Sequence, residues 1–294
     1  MKKYILILTA FLVFNASADE LPSCGENCTY EKIENGVDQN GNKTYTLKIF
    51  AIDSNELASI KDYERRGYEN KETYEWYVGT QESAPWASDT TITKVELESG
   101  IASIGAHAFT DMYSVTEISL PEGLQSIGNV ALHGTKITNL DLPDSLKSLG
   151  GYSLAIANLQ QINGIPEGLN FLGKAVFATA TDINSINIPD ELFKDDSTIY
   201  DNSLEGTSIV TLYCSALNQD ACEAFVTKAK NNRASQNLKA EIYHTDGNKV
   251  FYENHWYNNI GDILNGNHIK KRIYTIDEAN RVAGPTNRIS IRYR

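Results

Sequence analysis

Five histidines and four cysteines are the side chains of this sequence best suited to metal or nucleophilic chemistry. The histidines are His107, His133, His244, His255 and His268, and none stands in a His-Glu-x-x-His or similar ligand spacing. No Gly-x-Ser-x-Gly elbow, phosphate-binding loop or Gly-x-Gly-x-x-Gly occurs. The cysteines fall as two close pairs at opposite ends of the chain, Cys24/Cys28 and Cys214/Cys222, and neither spacing is that of a zinc site. Local disulfides are the simplest of the three connectivities four cysteines allow. Glu96 and Asp141 could imitate a glycosidase pair, but nothing in the sequence encloses them in a cleft. The residues therefore point away from catalysis, and no cofactor or metal is expected.

The chain has 294 residues, 41% apolar and 22% charged, which suits one large or two ordinary folded domains. Residues 1–18 read as a secretory signal. Lys2 and Lys3 precede an apolar core at 4–14, and Ala16-Ser17-Ala18 gives the small-x-small cleavage pattern. The rival reading is a lipoprotein signal, because Leu21-Pro22-Ser23-Cys24 loosely resembles a lipobox. Pro22 fits it poorly, and Asp19 and Glu20 separate Cys24 from the apolar core. Export leads to an oxidising compartment, where the cysteines pair. The formal charge of −12 becomes −14 without Lys2 and Lys3, which disfavours nucleic acid as a partner because phosphate repels an acidic surface. No apolar segment after the signal is long enough to span a membrane.

The polar side chains of the middle region are set out by a repeat. Val95, Ile118, Leu140, Ile162 and Ile186 step by 23, 22, 22 and 24 residues. Ile104, Ile127, Leu149, Leu172 and Ile199 step by 23, 22, 23 and 27, and each is followed five residues later by Phe109, Leu132, Leu154, Phe177 or Leu204. A fixed offset within an elastic period is the mark of stacked coils, with insertions confined to turns such as 194–198. Each unit opens on a short alternating strand that cannot bury its apolar face alone. Stacking places like residues about 4.8 Å apart, and each buried Leu or Ile contributes roughly 1.5–3 kcal/mol. Pro121, Pro143, Pro166 and Pro189 end strand pairing, and Gly105, Gly128, Gly150 and Gly173 are expected to permit a tight corner.

Segments such as Ile101-Ala102-Ser103-Ile104-Gly105-Ala106-His107-Ala108-Phe109 and Ile118-Ser119-Leu120-Pro121 resemble the BspA-type leucine-rich repeat over residues 90–214. Leu132, Leu154 and Leu204 depart from the usual Phe, Tyr200 from a Gly, and Gly164 is extra. The resemblance implies an α+β, β-rich fold: a leucine-rich-repeat solenoid with an N-terminal β-hairpin cap and a small C-terminal α/β module. The expected organisation is a signal at 1–18 and an N-terminal cap with a polar, tyrosine-rich insertion at 19–90. Five repeats plus a partial one follow at 91–214, then a capping helix at 215–237 and a C-terminal module with a basic tail at 238–294. The Cys24-x-x-x-Cys28 start, a hairpin of strands 28–33 and 44–50 around Asn40-Gly41, and Trp86 resemble the segment that precedes such repeats.

After the repeats, Cys222, Phe225, Val226 and Ala229 share one face of a helix over 220–230, and a Cys214–Cys222 disulfide would staple it to the last rung. A second hairpin is expected around Asp246-Gly247, a capping box at Thr275 and Glu278, and a final strand at 288–293. Residues 270–294 carry seven Lys or Arg and two Asp or Glu, which reads either as a basic edge docking on an acidic body or as a sorting signal.

Between the apolar columns lie two polar ones, Lys94, Glu117, Asn139, Gln161, Ser185 and Glu96, Ser119, Asp141, Asn163, Asn187. They suit a solvated sheet face or a broad contact surface of the kind solenoids present. Glu96, Glu117, Ser119, Asn139, Asp141, Gln161, Asn163 and Asn187 are the candidate binding residues. By resemblance the chain is expected to be secreted or held at the cell surface and to bind a protein or glycoprotein. An envelope scaffold is the alternative, and a glycan or peptide hydrolase a remote one.

Overall fold

The computed structural model describes residues 22–63, 69–70, 75–76, 83–156, 158–246, 249–253, 255–257 and 260–264. The signal segment 1–18, part of the 53–80 insertion, the capping box at Thr275 and Glu278 and the final strand 288–293 lie outside them.

The chain begins with β1 (Ser23–Glu26), β2 (Cys28–Val37), β3 (Lys43–Ala51) and β4 (Ala58–Ile60). β2 and β3 form the expected antiparallel hairpin, with Gly41 at φ 81° in its turn. β3 then pairs in parallel with the first repeat strand, Leu47 beside Val95 and Ile49 beside Leu97. β4 does the same further on, Ser59 beside Ser103. Residues 45–63 are therefore an additional coil of the stack, and the cap is built as a degenerate repeat. The insertion contributes a short antiparallel pair, β5 (Glu69–Asn70) and β6 (Glu75–Trp76). Trp86 seals this end: its Nε1–H donates to the Ala108 carbonyl at 2.7 Å, and its ring stacks on Phe109 and meets the edges of Tyr30 and Tyr63.

Each repeat gives two strands: β7 (Ile92–Leu97) and β8 (Ile101–Ile104), β9 (Glu117–Ser119) and β10 (Ser126–Ile127), β11 (Asn139–Leu140) and β12 (Ser148–Leu149). β13 (Gln161–Ile162) and β14 (Phe171–Leu172), then β15 (Ser185–Ile188) and β16 (Thr198–Ile199), complete five coils. The second strands stack without interruption, β4-β8-β10-β12-β14-β16, with Ile104, Ile127, Leu149, Leu172 and Ile199 in register. Phe109, Leu132, Leu154, Phe177 and Leu204 are all buried behind them.

The glycines after these strands do something other than turn a corner. Gly105, Gly128, Gly150 and Gly173 lie outside the left-handed region. A Cβ on them would fall 2.1 Å from the Lys61 carbonyl oxygen, 2.5 Å from Ala106 N, 2.6 Å from Asn129 N and 2.5 Å from Gly151 N. They are small because the preceding coil's backbone passes there. The left-handed residue of each turn comes two positions later and is not glycine: His107, Val130, Tyr152 and Ala175, at φ 58°, 59°, 56° and 50°. In the fifth coil Tyr200 takes the glycine position, and its N–H reaches the Leu172 carbonyl at 3.3 Å against 2.8 Å for Gly128, Gly150 and Gly173 to their partners.

The first strands stack with interruptions. β7 pairs with β9 and β11 with β13, and β15 pairs with β17 (Thr211–Ser215). Helix α1 (Gln219–Asn231) follows, burying Cys222, Phe225, Val226 and Ala229 as expected. Cys24–Cys28 and Cys214–Cys222 are both bonded. Cys214 lies beside Ile188 in the ladder, so its bond ties α1 to the last rung, and a loop this short contributes roughly 2–3 kcal/mol in the chain-entropy model. β18 (Lys239–Asp246) continues the first-strand stack in parallel with β17. β19 (Lys249–Tyr252) and β20 (His255–Tyr257) then turn the sheet antiparallel. Helix α2 (Ile260–Leu264) lies back against β15.

Candidate binding face

The first-strand side of the coils carries the polar columns. Register sets Lys94 beside Glu117, Glu96 beside Ser119, and Asn139 beside Gln161. Glu117, Ser119, Asn139, Asp141, Gln161 and Asn163 are exposed and Glu96 is half-buried. Lys94 Nζ lies 3.0 Å from a carboxylate oxygen of both Glu96 and Glu117. The bond to Glu96 and then that to Glu117 raise its pKa, so it stays charged and neutralises part of rungs one and two.

Asn187 corrects the sequence reading. It is fully buried and faces no ligand. Its Nδ2 donates to the Ile165 carbonyl at 2.7 Å, and its Oδ1 accepts from the Ile165 N–H at 2.6 Å. The extra residue Gly164, at φ 114°, interrupts the coil there, and the asparagine supplies the two bonds that a neighbouring strand would give. Asn163 makes the same pair of bonds to Leu142, at 2.9 and 3.1 Å, while remaining exposed. Alternation in a strand predicts an outward side chain and cannot distinguish one that doubles back to the adjacent backbone.

An acidic rim borders the face and was not singled out from the sequence. Each strand-ending proline is followed by an acid: Glu122, Asp144, Glu167 and Asp190. The recurrence of Pro-Asp/Glu in four units was the available signal. No basic side chain among the described residues pairs with Glu122, Asp141, Asp144 or Glu167. Asp190 accepts from Asn218 Nδ2 at 2.9 Å. Neighbours crowd the Glu167 carboxyl although the residue as a whole is exposed. This desolvation, then the charge of Asp190, pushes its pKa up. The buried Tyr243 hydroxyl on β18 is also pushed up, by desolvation first and then by Glu167 and Asp190.

The histidines of adjacent turns do not form a ligand set. His133 Nδ1 lies 3.6 Å from Asp111 Oδ1, and His107 Nδ1 lies 3.4 Å from the Thr110 hydroxyl. Among the described residues no group of three or more His, Cys, Asp or Glu is placed to hold a metal ion. None of the described helices is long and apolar enough to cross a membrane.

Stacked coils of 22–27 residues with a polar sheet face are the architecture of a leucine-rich-repeat solenoid. Residues 86–209 match the BspA type leucine-rich repeat region in six copies. Three solved structures are similar over part of the chain. A leucine-rich repeat protein of T. pallidum is 16% identical, covering 72% of this chain and 95% of its own, with a TM-score of 0.38. The pneumococcal vaccine antigen PcpA is 20% identical over 53% of this chain and 38% of its own, TM-score 0.40. A leucine-rich repeat protein from Bacteroides ovatus is 13% identical over 64% of this chain and 60% of its own, TM-score 0.31. No curated protein sequence matches this chain.

Proposed function

We propose that this is a secreted or surface-held binding protein that captures a protein or glycoprotein ligand on rungs one to four of its sheet face. The carrying observation is the row of exposed side chains Glu117, Ser119, Asn139, Asp141, Gln161 and Asn163, set at ladder spacing on a stacked scaffold. A solenoid presents such a surface at little ordering cost, because its rungs are already fixed. Two disulfides and the signal-like residues 1–18 support export. Purified protein is to be tested on immobilised matrix and mucin glycoproteins. Binding by the natural chain that is lost in Glu117→Lys/Asp141→Lys, with the unfolding midpoint unchanged, is the expected outcome. Binding that survives this charge reversal would remove the face from the account.

A further inference from the structure

The cap hairpin leaves one sheet edge open. β1 pairs with β2 at Cys28 and Thr29, and among the described residues no strand pairs with that edge beyond Thr29. Residues 31–37 are exposed, Ile33 at 38% and Val37 at 66%. Two bonds on the far side of β3 fix which main-chain groups face this edge. The Tyr45 N–H donates to the Thr91 carbonyl at 3.0 Å, and the Ile49 carbonyl accepts from the Glu98 N–H at 2.9 Å. Tyr45, Leu47 and Ile49 therefore turn their peptide groups to β7, and Thr46 and Lys48 turn theirs to β2. Thr46 stands opposite Ile33 and Lys48 opposite Glu31, so the N–H and carbonyl groups of Tyr30, Lys32 and Glu34 face outward. A strand edge with free peptide groups is a template for another strand. The bulge between Glu34 and Gly36 limits the regular part of this one to a short stretch around Ile33.

We propose that this edge pairs antiparallel with the same edge of a second copy, about a two-fold axis at Ile33. An axis there sets Ile33 opposite Ile33, with Cα atoms about 4.5 Å apart, and Lys32 opposite Glu34 on both sides of the axis. Lys32 and Glu34 carry outward peptide groups, so each such pair exchanges both of its main-chain hydrogen bonds. Moving the axis by one residue places Lys32 opposite Lys32 or Glu34 opposite Glu34, and like charges directly opposed destabilise a strand pair. The strand's own charges thus select one register. Within the chain Lys32 is paired with Asp89, and Glu34 with Lys43 at 2.8 Å, so the new pairs join two existing ones into a network of alternating sign. Ile33 and Glu31 share a face with Thr46 and Lys48, which lie beside Lys94 and Glu96. The pairing therefore runs the polar face of one copy into that of the next.

Sedimentation velocity of the purified chain from about 1 μM to about 1 mM tests this. The expected result is a monomer that passes to a dimer as concentration rises, because a few main-chain bonds and one apolar contact make a small interface. Glu34→Lys sets like charges opposite each other on both sides of the axis and should weaken the dimer about tenfold. The double swap Lys32→Glu/Glu34→Lys restores opposite charges in the same register and should restore the dimer. A monomer at every concentration, a dimer unchanged by Glu34→Lys, or a folded double swap that stays as weak as Glu34→Lys would overturn the proposal. A trapping measurement needs no change of charge. Ile33→Cys should oxidise to a disulfide-linked dimer, whereas Val37→Cys, which this register holds away from its own copy, should stay a monomer. Equal trapping at the two positions, or none at Ile33→Cys, would likewise overturn it. Neither readout involves a ligand, so the pairing and the binding role of the face stand or fall separately.

Discussion

The two strand columns of the same coils differ in how they are closed. The second column, β8 through β16, is an unbroken ladder in which glycines let the backbones meet. The first is broken twice, between β9 and β11 and between β13 and β15; the Asn187 amide bridges the second break, and the Asn163 amide extends the short β11–β13 pairing to Leu142. One side of the solenoid is sealed by the main chain, which leaves no freedom for side chains at the Gly105, Gly128, Gly150 and Gly173 positions. The other side tolerates changes of side chain and even an inserted Gly164.

The comparison breaks most sharply at Gly128. A side chain there meets the Ala106 backbone N at 2.5 Å, so Gly128→Val should lose about 3 kcal/mol or more, measured by denaturant midpoint. Replacing the exposed Ser119 on the other column should leave the midpoint within about 0.5 kcal/mol. Asn187→Ala strands a buried N–H and carbonyl of Ile165 and should cost about 2–4 kcal/mol, whereas Asn163→Ala, whose amide is solvated, should cost about 1 kcal/mol. Equal losses would mean that the two clamps are not distinguished by burial.

Val130 sharpens the picture in the opposite direction. A β-branched residue at φ 59° is strained, so Val130→Gly should gain about 1 kcal/mol despite the entropy of glycine. The smallest effect is expected at Glu167. Its raised pKa means that the folded state binds the proton more tightly, so this stability is present in acid and lost as pH rises through the folded pKa. Glu167→Gln should therefore raise the unfolding midpoint at pH 7 and leave it unchanged at about pH 3, below the ordinary glutamate range.

The apolar columns were legible because burial imposes a residue type at a fixed interval. Val95, Ile118, Leu140 and Ile162 are buried beneath the strands as their spacing requires. The additional coil was less visible, since 13 residues separate Leu47 from Ile60 where Val95 and Ile104 are nine apart. Its signature was the Ser59-Ile60 step shared with Ser103-Ile104 and Ser126-Ile127. The glycines stand out in the sequence, but nearness of another backbone and a left-handed turn leave the same mark there, and here it is the backbone that requires them. Asn187 looked like surface for a related reason. Its partner at Ile165 is 22 residues away, and only the stacked geometry brings them together.

Native-state hydrogen exchange tests the difference between the columns most directly. The amides of Gly128, Gly150 and Gly173, which bond to Ile104, Ile127 and Leu149 across the sealed column, should exchange together and only through global unfolding. Those of Asn139 and Asp141, flanking the broken ladder, should exchange faster through local opening. Uniform protection on both sides, or faster exchange at the glycines, would contradict a solenoid with one sealed flank and one adaptable face.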